Sequence, residues 1–330
     1  MKASYIEECG PPEQIQYGDL PDPTPTDSQI LVRTAAVSLN PIDTYIRNGA
    51  NFWELPKPYI VGSDVAGVVE AVGSATSRFK VGDRVWGSNQ GLLGKQGTFA
   101  ELCTIEEDWL YPTPDGVDDK TVAACALVGI TAHLGLFAEA KLVAGETVLV
   151  QGGSGGVGSM VLQMAKAAGA KVVATAGTEE KAQRCLELGA DEVVIYTQAN
   201  VAEAVAKSSP NGVNVIWETQ REPDFDLLVS CLAERGRIVI MAGRDARPSF
   251  PVGPFYVKCA SIHGFVMFKA SADSQRKAAT EINEWLLSGK LRSQIGLELP
   301  LSKAAEAHRM QESATLQKSG TLAGKIVLTP

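Results

Sequence analysis

The sequence predicts an α/β protein in which a doubly wound parallel sheet is inserted into a β-rich, antiparallel barrel domain. Three observations predict it. The first ~120 residues hold short apolar runs separated by Pro and Gly, as antiparallel strands require. Beyond Lys120 strand-like runs alternate with helix-like ones, the pattern of a parallel sheet. A lone strand, Lys325-Ile326-Val327-Leu328, ends the chain and fits best by returning to the first domain.

In chain order, Ile30–Val37, Asp64–Val72, Gly82–Trp86 and Thr98–Thr104 read as strands of the barrel. The parallel strands are expected at Thr147–Val150, Lys171–Thr175, Glu192–Tyr196, Val213–Trp217, Arg237–Met241 and Ser261–Phe265. Six of them complete a doubly wound nucleotide fold. Glu179–Leu188 and Asp224–Leu232 read as helices between them. A long amphipathic helix containing Ile282, Trp285 and Leu286 follows, then a second near Ser302–Gln311.

Composition narrows the class. The 330 residues are 45% hydrophobic and 21% charged, which is globular, and a net charge of −8 argues against nucleic-acid or anionic-membrane partners. Met1–Leu20 carries Glu7, Glu8 and Asp19 and no apolar core, so no secretory signal is expected there. The longest apolar run, Val122–Phe137, is interrupted by Gly129, His133 and Gly135, and no run is expected to span a bilayer. The six cysteines show no C-x-x-C pair and read as reduced thiols of a cytoplasmic protein.

The densest chemical signal is Gly153-Ser154-Gly155-Gly156-Val157-Gly158. It matches G-x-G-x-x-G between a strand (Glu146–Val150) and a helix on which Val161, Leu162, Met164, Ala165 and Ala168 recur at helical spacing. Glycines let the backbone approach a pyrophosphate, and the helix N-terminus offers it N–H groups and partial positive charge. The other reading is a plain structural turn. An NAD site places Asp or Glu at the end of the second strand to bind the ribose hydroxyls. Here that strand exits into Ala176-Gly177-Thr178, with Lys181 one turn on and Arg184 three residues later. The small exit favours the 2′-phosphate of NADPH. Glu179 and Glu180 weigh against it unless they serve the helix dipole, and Lys181 also reads as an ordinary solvated lysine.

These stretches, together with Asn40-Pro41-Ile42-Asp43-Thr44-Tyr45-Ile46-Arg47, Gly62-Ser63-Asp64-Val65-Ala66-Gly67, Gly82-Asp83-Arg84-Val85, Gly177–Lys181 and Gly324–Leu328, resemble the medium-chain dehydrogenase/reductase superfamily over essentially the whole chain. Within it the sequence is similar to the zinc-free NADPH:quinone oxidoreductases of the ζ-crystallin type. The resemblance implies a GroES-like catalytic domain (1–122 and 267–330), a Rossmann domain (123–266) and a cleft between them. It implies that Asn40 lies near the nicotinamide and that Thr131 faces the nicotinamide ribose and phosphate. Lys181 and Tyr196 would frame the 2′-phosphate, and Gly243, Phe265, Val266 and Met267 would line the nicotinamide side. A C-terminal Arg that touches the 2′-phosphate in some members is replaced by Gly320, with Lys318 nearby. A homodimer or homotetramer is implied too, through the sheet edge expected at Ser261–Phe265. The stretch Trp86–Gly97 reads equally as a substrate-side loop or a surface loop.

Zinc-dependent relatives hold their metal with Cys, His and a third Cys or Asp. The matching positions here are Asn40 and Ser63, neither a credible ligand, and the third falls near Leu127–Val128 with only Cys125 close. His133, His263 and His308 are dispersed. No metal is expected. An alcohol is hard to oxidise without a group that lowers its pKa, whereas a quinone or conjugated enone is already electrophilic. The expected reaction is hydride transfer from C4 of NADPH to such an acceptor. Tyr45 and Tyr59 are candidates to stack on it or bond to it, and Tyr45 is a candidate proton donor unless it only packs. Three readings stand: a quinone reductase; a reductase of conjugated C=C bonds in enals, enones or enoyl thioesters; and an NADPH-binding protein with a structural or regulatory role. A thioester would want a basic rim, and the sequence shows none.

Overall fold

The structure, a computed structural model, describes residues 1–50, 53–316 and 322–330. It divides into two compact units, Met1–Leu127 with Ser271–Leu287 and Arg292–Pro330, and Val128–Ala270 with Ser288–Leu291.

In chain order the first unit holds β1 (Lys2–Ile6), β2 (Gln16–Asp19), β3 (Gln29–Leu39), α1 (Pro41–Arg47), β4 (Tyr59–Ile60), β5 (Val65–Val72), β6 (Arg84–Gly87), β7 (Leu102–Glu106) and β8 (Leu110–Pro112). Helix α2 (Asp119–His133) carries the chain across the unit boundary. The second unit holds β9 (Thr147–Val150), α3 (Gly156–Ala167), β10 (Lys171–Ala176), α4 (Glu179–Glu187), β11 (Glu192–Ile195), α5 (Val201–Ser208), β12 (Val213–Glu218), α6 (Phe225–Cys231), β13 (Leu232–Ile240), α7 (Val252–Val257) and β14 (Ser261–Gly264). The chain then returns with α8 (Ala272–Leu287), β15 (Ile295–Pro300), α9 (Ala304–Leu316) and β16 (Lys325–Thr329).

The first unit is built on a seven-stranded sheet in the order β15-β16-β3-β5-β6-β8, with β7 also on β3, and a small sheet β2-β1-β4. The terminal strand does return: Ile326, Val327 and Leu328 pair antiparallel with Leu39, Ser38 and Val37. The strand expected at Thr98–Thr104 begins only at Leu102. Residues before it are drawn toward the small sheet, where Ser4 N donates to Phe99 O (2.7 Å) and Phe99 N to Val61 O (2.9 Å). The hairpin β1–β2 and strand β15 add to the strands expected from the sequence.

The second unit's sheet runs β11-β10-β9-β12-β13-β14, every pair parallel, with β14 at one edge as expected. Val148–Val150, Val172–Ala174 and Val215–Trp217 are fully buried, because helices cover both faces of the sheet. On one face α5 and α6 press Val205, Leu228 and Val229 against Leu149, Val173, Ile216 and Ile238. Helix α3 buries Val161, Leu162, Met164 and Ala165, as their spacing predicted, and Met160 as well, while Ala168 caps the helix half-buried.

One expectation is corrected. Asp119–Glu139, 21 helical residues, is long and apolar enough to cross a membrane, since Gly129, His133 and Gly135 do not break the helix. Its apolar surface is spent internally: 78% of its most apolar stretch is buried within the protein.

Candidate active site

In the second unit the chain leaves β9 through Gln151–Gly155 and enters α3. Each glycine there answers a different steric demand. Gly152 adopts φ +72°, so the left-handed residue of the turn precedes the sequence motif by one position. A Cβ on Gly153 would lie 2.9 Å from Ala174 Cβ, and one on Gly158 2.2 Å from Gly152 O. Gly155, the residue before α3, is exposed, and a Cβ there would meet only Gly152 O at 3.4 Å. The open face of the turn is therefore where α3's first N–H groups point, and these have no acceptor within the helix. Ser154, Gly156 and Val157 are half-buried around it.

A polar scaffold that sequence reasoning missed holds the turn. Gly152 N donates to Thr175 Oγ1 (3.1 Å), Thr175 Oγ1 to Gln151 Oε1 (2.7 Å), and Thr219 Oγ1 to Gln151 O (2.7 Å). Beside Thr219, Glu218 ends β12 fully buried and accepts from Gln220 N (2.5 Å); burial pushes its carboxyl up to about 7. A buried acid at a strand end has no periodic signature, which is why it escaped notice.

The second strand, β10, ends at Ala176 with no carboxylate at its exit. Thr178 caps α4, its Oγ1 accepting from Lys181 N (3.3 Å), and Glu179 and Glu180 fill the first turn, where the dipole favours acids. Arg184 lies 3.6 Å from Glu180, whereas half-buried Lys181 has no ion-pair partner among the described residues. Tyr196 stands just past β11, half its surface exposed, and its hydroxyl would be 2.5 Å from a Cβ on Gly177. Tyr196, Gly177 and Thr178 are thus neighbours, and Lys181 follows one turn into α4.

The remaining nucleotide candidates are spread along the same unit. Thr131 is buried on α2. Gly243 follows β13 at φ +83°, its Cβ position 2.6 Å from Arg221 O, so a side chain is excluded. Phe265 packs edge-on to Trp217 (centroids 6.2 Å apart), Val266 is exposed and Met267 buried. Gly320 and Lys318 lie outside the described residues.

In the first unit, Asn40 follows β3 and caps α1, where Pro41 is preorganised for the first helical position. Asn40 is wholly buried. Its backbone N donates to Asp43 Oδ2 (2.7 Å), and its Nδ2 to Asp64 Oδ2 (2.8 Å) and Ser63 Oγ (3.4 Å). Its Oδ1 accepts from the ammonium of Lys325, which also donates to Leu39 O (2.7 Å). Asp64 further accepts from Ser38 Oγ (2.9 Å) and Leu127 N (3.1 Å). Burial raises the Asp64 carboxyl, opposed chiefly by Lys325, and lowers the Lys325 ammonium, opposed chiefly by Asp64. Burial, then the Asp64 charge, pushes Asp43 up to about 7. Both amide hydrogens of Asn40 are therefore spent inside the protein, which leaves it no free N–H for a substrate. Lys325 was visible in the sequence only as part of the terminal strand.

The two tyrosines part company. Tyr45 is half-buried on α1. Tyr59 is 2% exposed and its hydroxyl donates to Gly91 O (2.8 Å). The structure places Tyr59 in the interior, its hydroxyl bonded to the backbone of the turn at Gly91. Trp86–Leu92 is also buried, with Asn89 Nδ2 donating to Gln275 Oε1 (2.8 Å), and only Leu93–Gln96 form a surface tip.

Comparison with known proteins agrees with this architecture. Residues 26–115 match the alcohol dehydrogenase GroES-like domain, and 156–284 the zinc-binding dehydrogenase domain. The quinone oxidoreductase of Homo sapiens is 36% identical over 310 residues, covering 93% of both chains. The chain belongs to the quinone oxidoreductase family of medium-chain dehydrogenases/reductases. Among solved structures, an NAD-dependent alcohol dehydrogenase matches with TM-score 0.90 at 30% identity, over 100% of both chains. The Escherichia coli quinone oxidoreductase complexed with NADPH matches with TM-score 0.86 at 26% identity, also over 100% of both.

Proposed function

We propose that this oxidoreductase reduces quinones with NADPH and without a metal. The observation that carries the cofactor choice is the exit of β10, which offers no carboxylate to a ribose 2′-hydroxyl but sets unpaired Lys181 one turn beyond it. Bound NADPH supplies the hydride, from C4 of its nicotinamide. The chain supplies the rest. The α3 N-terminus at Ser154, Gly155, Gly156 and Val157 holds the pyrophosphate, Gly153 and Gly158 keep the turn tight, and Gly177, Thr178, Lys181 and Tyr196 surround the 2′-phosphate. Thr131, Gly243 and Phe265–Met267 contact the nicotinamide half. Tyr45 contacts the acceptor. Asn40 and Ser63 support the metal-free reading, since an amide and a hydroxyl already bonded to Asp64 or to each other make poor zinc ligands.

Six unpaired cysteines support a reducing, cytoplasmic compartment. The open edge at β14 supports assembly into a homodimer or homotetramer.

The test is consumption of NADPH and NADH by chelator-treated protein, with an ortho-quinone and a conjugated enal in parallel. Quinone reduction at least about tenfold faster with NADPH is expected. Turnover of the enal alone moves the assignment to a double-bond reductase. NADPH-linked stabilisation with no acceptor turned over moves it to a binding protein.

A further inference from the structure

Residues 156–284 match a domain named for zinc binding, yet the residues at the metal-ligand positions of the GroES-like domain do not fit that metal. The two ligand positions are Asn40 and Ser63, and among the described residues no three His, Cys, Asp or Glu side chains converge to hold an ion. A cation of the chain's own stands there instead. Lys325 opens β16, is 5% exposed, bonds Leu39 O and Asn40 Oδ1, and lies 4.0 Å from Asp64 Oδ2.

The geometry decides how the Asn40 amide lies. With its oxygen on the ammonium and its NH2 on the carboxylate, both contacts are attractive. A flip would turn NH2 toward the ammonium and oxygen toward the carboxylate, so both would become repulsive. In a buried site such reversals are strongly disfavoured, because no water screens them. Lys325 and Asp64 together thus select one orientation. That orientation joins the end of β3, the start of α1 and the turn before β5, which carry Leu39, Asn40 and Ser63. Asp64 reaches also to Leu127 N on α2, one helical turn before Thr131.

We infer that Lys325 is a built-in cation that balances the buried Asp64 carboxylate and fixes the Asn40 amide at the position where zinc-dependent relatives place a metal ligand. It acts through Asn40 and is therefore a positioning residue for α1, which carries Tyr45. Its kinetic consequence rests on the quinone-reductase reading; its structural consequence does not.

The experiment compares the wild type with Lys325→Met, which keeps the chain length and removes the charge, and with Lys325→Met/Asp64→Asn, which removes both charges and guards against misfolding of the single variant. Hydrogen exchange of the Asn40 carboxamide is followed by nitrogen-15 NMR, with Asn40→Asp identifying the signal. Slow exchange is expected in the wild type, and exchange at least about tenfold faster in both variants. Fast exchange in the wild type, or equally slow exchange in a folded variant, overturns the inference. In parallel, kcat for an ortho-quinone is expected to fall about tenfold in the double variant while NADPH affinity, read by fluorescence, stays within about twofold. A double variant with wild-type kcat also overturns it. A wild type that protects the Asn40 amide but reduces no quinone refutes the functional reading alone.

Discussion

At the scale of single residues, the proposed preference for NADPH rests on one charge. Lys181 is half-buried with no ion-pair partner among the described residues, while neighbouring Arg184 lies 3.6 Å from Glu180, which supports Lys181 as the proposed partner of a 2′-phosphate. Lys181→Ala should raise the dissociation constant for NADPH about tenfold, the worth of one partly screened charge-assisted bond, and leave NADH binding unchanged. Titration of cofactor fluorescence checks this; equal weakening for both cofactors would place the lysine's effect outside the 2′-phosphate. Residue types and spacing brought Lys181 forward as a candidate in the sequence. They could not show that the Tyr59 hydroxyl bonds to the carbonyl of a turn 32 residues away, because spacing along the chain carries no sign of such a contact.

Among the elements, the strand–turn–helix unit around Gly153–Gly158 was the most readable, since local backbone demands dictate its glycines. Those demands now divide in two. Gly158→Ala drives a Cβ into Gly152 O and should destabilise the fold by about 1–3 kcal/mol and abolish tight cofactor binding. Gly155→Ala meets nothing closer than 3.4 Å and should fold with a melting temperature near the wild type, yet bind NADPH more weakly, because the added methyl occupies the face a pyrophosphate needs. Thermal melts with and without NADPH separate the pair. The parallel strands were legible as short apolar runs. β15 was not, although it alternates half-buried and exposed residues, because its pairing with β16 is non-local, and the strand expected at Thr98–Thr104 starts only at Leu102 because Phe99 bonds instead to Ser4 and Val61, again a non-local choice.

Over the whole molecule, β14 is an open sheet edge with Ile262, Val266, Tyr256 and Val257 exposed beside it, an apolar surface that a second copy of the chain would cover. Light scattering should give a mass at a multiple of 35.0 kDa, and Ile262→Lys should shift it toward one chain by placing charges face to face. What the sequence determined by itself was everything local: the glycine turn, the alternation of strand and helix, the small exit of β10 and the absence of zinc-ligand residue types at Asn40 and Ser63. These follow from residue size, periodicity and chemistry within a few positions. What only the tertiary structure decided was which distant groups meet in the interior. Lys325 reaches Asn40 across 285 residues, and Asp64 gathers Ser38, Asn40 and Leu127 around one buried carboxylate. A buried charge must find its partner wherever the fold brings one, and chain spacing carries no record of that choice.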